Sequence, residues 1–310
     1  MRLARPDRPP VALRGVTLIE LVVSLVVLAI LTALVVYFIY PVRQAVDVAM
    51  RAELTDIADH ALQRISREVR LALPNSVRVT ASGGAQFLEF LPVVTAGRYR
   101  AEGGGVSGGT DCPDTGAGQP ASDQLTFGIA DTCFKSLGPL LNGAAITTND
   151  FVVVNNYGAG FADQDAYLDT TSNRRRIQAT AVEAGPDRQR LVIAAGTFDA
   201  GLHDSPGKRF YVVTGNGATL LPVTYECTAG GILLRRSGYP RTQAQPTSFS
   251  SGVAQRLASR ITACAFEYSA SVVAPQVGLL TLRLTLSAPR SDGGSESVSL
   301  YQSVHVVNVP

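Results

Sequence analysis

Between Leu21 and Tyr40 the chain runs for twenty residues without a charge, and a single acid, Glu20, stands directly in front of that run. A bilayer core is crossed by about 20 apolar residues in helical form. The run therefore predicts a membrane span, and a lone segment in lipid must be a helix to satisfy its own backbone. Glu20 is what hydropathy leaves over. A carboxylate at bilayer depth costs about 2.5–3.5 kcal/mol, which predicts a use for it and a partner charge. A secretory signal has an apolar stretch of about 7–15 residues and then an Ala-x-Ala-like cut site. Here the stretch is longer, and Ala29 and Ala33 stand four apart. A plain single-pass anchor accounts for the hydropathy but not for Glu20 or its distance from Gly15.

The charge balance sharpens the topology. Arg2, Arg5, Arg8 and Arg14 against Asp7 place +3 on residues 1–15, so the whole-chain +2 leaves −1 on the remainder. Basic flanks stay cytoplasmic, which predicts an N-terminus inside and a C-terminus outside. The rest of the chain has no basic footprint of the kind that marks a nucleic-acid binder.

Beyond the apolar run lie about 270 residues, low in charge and rich in Gly, Ser, Thr and Val. That composition and length predict a β-rich domain with a real core. Val16 to about Leu73 reads as one helix of 58 residues, about 87 Å at 1.5 Å per residue, kinked or interrupted at Pro41. Its second half carries apolar residues at Val42, Val46, Ala49, Leu54, Ile57, Ala61, Ile65 and Val69, a stripe of helical period. Pro74-Asn75 ends it.

Strands are predicted at 77–80, 87–91, 151–155, 177–182, 191–194, 210–214, 220–226, 232–236, 265–268, 279–287 and 297–307, with a short helix around Val253–Arg260. Thr228-Ala229-Gly230-Gly231 predicts a hairpin, and Asp292-Gly293-Gly294 a turn before the last strand. Leu280, Leu282, Leu284 and Leu286 alternate with Thr281, Arg283 and Thr285, the period of a half-buried strand. Residues 96–150 read as a glycine-rich, cysteine-containing insertion. The expected fold class is α+β: a long N-terminal helix packed on an antiparallel β-sheet domain.

Four cysteines, Cys112, Cys133, Cys227 and Cys264, allow three pairings. Joining neighbours, Cys112 with Cys133 and Cys227 with Cys264, gives the shortest loops. Two disulfides imply an oxidising compartment, the periplasm or the cell surface. No Cys-x-x-Cys is present, and His60, His203 and His305 are scattered, so no metal and no cofactor are expected. Gly105-Val106-Ser107-Gly108-Gly109 matches a nucleophile elbow in letters, but it lacks the strand before and the helix after that the motif needs. Gly158-Ala159-Gly160 lacks the third glycine of a dinucleotide loop. Asp163, Asp165 and Asp169 beside Asn155 and Asn156 could ligate calcium, yet no glycine turn or distal glutamate accompanies them; a solvated loop is the simpler reading. Arg174-Arg175-Arg176 reads as the start of an exposed strand. No catalytic set is expected, and the chain is read as a non-enzyme.

Arg14-Gly15-Val16-Thr17-Leu18-Ile19-Glu20 ahead of the uncharged span resembles the processing site of type IV prepilins and of the related pseudopilins of type II secretion. Val16 departs from the commoner phenylalanine. The resemblance implies that a prepilin peptidase cuts between Gly15 and Val16 and methylates the new amine on Val16, leaving Glu20 as the fifth mature residue. It implies a leader at 1–15, a transmembrane and assembly helix at 16–40, its amphipathic continuation at 41–73, and a periplasmic domain at 74–310. It also implies that Glu20 pairs with the N-terminal amine of an adjacent subunit.

Further along, Ala72-Leu73-Pro74-Asn75-Ser76-Val77-Arg78-Val79, Tyr225-Glu226-Cys227, Ile232–Tyr239, Cys264–Tyr268, Leu280–Ser287 and His305–Pro310 are similar to the MshO-type minor pilins of the mannose-sensitive haemagglutinin (MSHA) pilus. The implied partners are the peptidase, other major and minor pilins, the inner-membrane assembly platform and, before assembly, membrane lipid. The implied location is the inner membrane and then the pilus surface of a Gram-negative bacterium. Two other readings stay open: a J-type minor pseudopilin of a secretion system, and a membrane-anchored periplasmic binding module or enzyme.

Overall fold

The computed structural model of the chain describes residues 15–100, 112, 123–183, 189–198, 205, 207–270, 277–290 and 292–310. It is α+β. Among the described residues one α-helix, α1 (Leu18–Val69), precedes fourteen strands: β1 (Arg78–Ser82), β2 (Ala85–Phe90), β3 (Val93–Arg98), β4 (Cys133–Lys135), β5 (Phe151–Val154), β6 (Arg174–Val182) and β7 (Gln189–Ile193) come first. They are followed by β8 (Arg209–Val213), β9 (Val223–Cys227), β10 (Leu233–Ser237), β11 (Val253–Ala258), β12 (Ile261–Ala270), β13 (Val277–Pro289) and β14 (Ser295–Val307). Two compact units are distinguished, one holding the helix up to Ala52 with Pro289–Glu296, the other Glu53–Ala288 with Ser297–Pro310.

In the first unit, α1 runs through Pro41 without an interruption. A proline removes one hydrogen bond from the ladder and leaves the rest of a long helix standing. Val42 and Val46 are exposed here, so the predicted stripe is not buried in this stretch. The turn after β13 is closed by Gly293, at φ +87°, whose amide donates to the Arg290 carbonyl. Arg290 also lies 3.5 Å from Asp47, and Arg51 3.5 Å from Glu296.

In the second unit the stripe is real. Leu54, Ala58, Ala61, Leu62, Ile65 and Val69 are buried, at helical spacing. The helix stops at Val69, four residues before the predicted end, as the Leu71 and Ala72 amides turn to the Glu68 and Val69 carbonyls. Asn75, at φ +58°, then reverses the chain.

Three antiparallel sheets follow. The first has the order β1-β2-β9-β10-β11, the second β12-β13-β14, and the third β3-β8-β5-β6-β7-β4. The predicted hairpin joins β9 to β10, with Cys227 opposite Leu233. Leu280, Leu282, Leu284 and Leu286 are all fully buried along β13, as their alternation requires. Strand β5 reads Phe-Val-Val-Val and is buried on both sides. Val152 and Val154 join a core with Tyr99, Phe134, Leu191 and Phe210. Phe151 and Val153 join another with Leu73, Leu91, Tyr167 and Leu220.

Two expectations need correction. Val253–Arg260 is not a helix: Val253–Ala258 forms edge strand β11, and Arg260, at φ +64°, turns the chain into β12. The flanks of the supposed 96–150 insertion belong to the third sheet, since β4 pairs with β7 and Tyr99, Leu125 and Phe134 are core. The glycine runs themselves, with Ser107, lie outside the described residues.

Candidate functional site

The candidate site is the start of the helix. Residues 1–14 lie outside the described residues; Gly15 and Val16 are exposed and stand outside any helix or strand, just ahead of α1. Thr17 is the residue that begins the helix. Its hydroxyl accepts the Glu20 amide at 3.3 Å, and its carbonyl accepts the Leu21 amide at 3.1 Å. A threonine that caps the third amide of a helix whose third residue is glutamate has the spacing of a capping box. Thr17-Leu18-Ile19-Glu20 carries that signal in the sequence, and the sequence reading passed over it. Glu20 thus has a local role, since an acid in the first turn also complements the helix dipole.

From Leu18 to Ile39 the large apolar side chains of α1 are exposed on every side. One window of this helix reaches a mean hydropathy of 2.9, long and apolar enough to cross a membrane. Ser24 and Thr32 do not interrupt it, because both hydroxyls donate back to carbonyls of the preceding turn, Leu21 at 2.9 Å and Leu28 at 2.6 Å. A helix apolar all round needs an apolar surrounding on all sides.

Cys112 and Cys133 form a disulfide. Cys227 and Cys264, expected to pair, are thiols in this structure and line one opening.

The buried charges are structural partners of one another. Lys135 is fully buried, 3.0 Å from Glu183 and 3.2 Å from Asp123. Burial pulls its ammonium down, but the two carboxylates outweigh that and hold it above the usual lysine value. Glu183 also meets Arg190 at 2.7 Å. The Glu89 carboxylate, with no exposure, accepts from Arg78 Nε at 2.8 Å, Tyr239 at 2.9 Å and Thr224 at 3.2 Å. Its burial still pushes it above the usual carboxylate range despite Arg78. Glu68 shows the opposite balance: burial raises it, and Arg235, at 2.8 Å, together with Arg64 brings it below that range. Each of these carboxylates has a cationic partner, as buried charges must.

The acidic loop is likewise occupied. Asp169 is held by Arg241 at 2.7 Å and Gln243 at 3.0 Å. Asp165 accepts the Tyr167 amide. The Arg174 guanidinium donates to the Ala166 and Leu168 carbonyls, both at 2.7 Å, which gives those oxygens a cationic partner from the chain itself. Arg174-Arg175-Arg176 does begin β6, but Arg174 and Arg175 are half-buried, and Arg175 stacks over Phe198. His60 sits beside Asp56 on the helix and His305 on β14, while His203 lies outside the described residues. Among the described residues no three His, Cys, Asp or Glu converge on a metal position.

A cleft of about 820 Å³ runs along β3, lined by Val93, Thr95, Leu141, Asn149 and Asp150 among others. The Asp150 carboxylate accepts the Thr147 amide at 2.8 Å and the Gly215 amide at 3.2 Å.

No family model matches the chain, and neither a curated protein nor a solved structure matches it.

Proposed function

We propose that the chain is a non-enzymatic, single-pass membrane subunit of the type IV pilin kind, a minor pilin of the MSHA type. In this reading a prepilin peptidase cuts between Gly15 and Val16, and the amine released on Val16 is methylated. The observation that carries it is the conjunction at the helix start: an exposed glycine just ahead of the helix, a capped first turn bearing Glu20, and a helix apolar on every side from there to Ile39.

The mechanism follows from solvation. Before assembly the segment after Glu20 rests in lipid. On assembly it exchanges lipid for neighbouring helices, one apolar surrounding for another. Glu20 alone changes its circumstances, because a carboxylate in a dry helix bundle costs several kcal/mol unless it meets a counter-charge. The amine of Val16 on an adjacent subunit supplies that charge, so Glu20 sets register and recruitment. The bulky head of three sheets suits a low-copy position in a tip or priming complex better than dense tiling along a thin fibre. The C-terminal domain then lies on the periplasmic side, consistent with the Cys112–Cys133 cystine.

N-terminal sequencing of the mature protein isolated from membranes tests the reading. A first residue of N-methylated Val16 is expected. An intact leader, or a cut anywhere else, overturns it.

A further inference from the structure

Cys227 and Cys264 belong to different sheets. Cys227 is buried at the end of β9 in the five-stranded sheet, and Cys264 is half-buried in β12 of the three-stranded sheet. Both thiols line one opening. What brings them together is the turn between β9 and β10. The Thr228 amide donates to the Ile232 carbonyl at 2.9 Å, and the Gly231 amide to the Thr228 carbonyl at 3.0 Å. Gly231 has φ +75°, and its own carbonyl accepts the Ile261 amide at 3.0 Å. A Cβ on residue 231 would lie 2.5 Å from the Ile261 carbonyl oxygen, so the approach of β12 to this turn needs glycine. Three residues beyond Ile261, Cys264 stands with Cys227 on the wall of one opening. An opening of about 240 Å³, lined by both cysteines with Gln86, Ala229 and Thr262, connects the pair to solvent.

We propose that Cys227 and Cys264 close as a second cystine, a covalent staple between the five-stranded and three-stranded sheets, formed by exchange with an external disulfide oxidant that enters through this opening. The pairing rests on the geometry; only the oxidising compartment is shared with the functional reading, and the Cys112–Cys133 cystine supports that compartment independently. The chemistry balances. The more exposed Cys264 sulfur, as thiolate, attacks the oxidant's S–S bond and expels one thiol. Cys227 then attacks Cys264 in the mixed disulfide and expels the second thiol. Two electrons pass from the two cysteines to the oxidant, and the two cysteine protons end on its two thiols. Cys227, and then burial, push the Cys264 thiol well above its usual range.

The test uses the full chain, extracted from membranes without reductant, denatured, treated with N-ethylmaleimide and weighed intact. The expected result is no maleimide adduct, a mass four hydrogens below the fully reduced chain, and a digest containing a peptide pair joined through Cys227 and Cys264. Two adducts, on Cys227 and Cys264 with the Cys112–Cys133 bond intact, overturn the staple and leave the membrane-subunit reading standing. Four adducts overturn the staple and the periplasmic placement together. A cystine joining any other pair also overturns it. As a second measurement, the Cys112→Ser/Cys133→Ser variant carries only the proposed staple. Dithiothreitol should lower its melting temperature by several degrees, and an unchanged melt counts against the bond.

Discussion

The Asn75 amide donates to the Asn308 side-chain oxygen at 3.2 Å, joining the turn that ends the helix to the tail of the last strand, 233 residues later. The asparagines are mutually committed. Asn75 Nδ2 donates to the Asn156 carbonyl at 2.8 Å, and Asn156 Nδ2 to the Pro74 carbonyl at 2.7 Å. Asn308 Nδ2 donates in turn to the Tyr268 hydroxyl at 2.8 Å. Asn308 is 2% exposed, so water cannot replace what it supplies. Asn308→Ala leaves the Asn75 amide and the Tyr268 hydroxyl without these partners. A loss of about 2 kcal/mol in urea unfolding is expected, and a loss below a few tenths would show that the knot carries no stability.

Leu282 and Leu284 lie fully buried on β13, with Arg283 exposed between them. Leu282→Ala should cost about 2–5 kcal/mol, while Arg283→Ala should stay within about 0.5 kcal/mol. Equal effects from the two substitutions would mean that the strand is not seated in this register.

Glu68 predicts a pH dependence. Its folded carboxyl lies below the ordinary 4.5, so the unfolded chain binds its proton first as pH falls. The stabilisation is therefore complete above about pH 4.5 and fades below it, as pH passes down through the folded value. Glu68→Gln should flatten this acid limb of a stability–pH curve. Glu89 has the opposite sign: its raised carboxyl contributes fully below about pH 4.5 and less as pH climbs through its folded value. An acid limb that keeps its slope in Glu68→Gln would show that Arg235 does not hold the charge.

Glu20→Gln separates the two roles open to Glu20. Glutamine serves a capping box as well as glutamate does, but it carries no charge for a neighbouring amine. The variant should be cut after Gly15 normally and fail to enter filaments, read as the ratio of sheared-surface to membrane-bound protein by immunoblot. Filament entry at the wild-type level would leave Glu20 with its capping role alone.

Long-period signals were the legible part of this sequence. The uncharged run, the Leu280–Leu286 alternation and the Thr228–Gly231 turn each state their structure locally, and each is present. The helical stripe was legible, and it is buried from Leu54 onward. Val253–Ala258 was misread because an edge strand with four exposed residues in a row has no burial period to display. Strand β3 hides behind Pro92 and contains Thr95-Ala96-Gly97, residues with little strand signature. Lys135 and its two carboxylates lie far apart in sequence, so nothing local marks them as one buried cluster. At the candidate site the Thr17-to-Glu20 spacing is a capping signal in the sequence, and the Thr17 hydroxyl accepts the Glu20 amide.

Strand β5 turns Val152 and Val154 toward one core and Phe151 and Val153 toward the other. Neither layer can be peeled away without stripping a face from the same four residues. Heating should accordingly dissolve the surroundings of Tyr99 and Tyr167, one tyrosine in each cluster, at a common temperature rather than in succession.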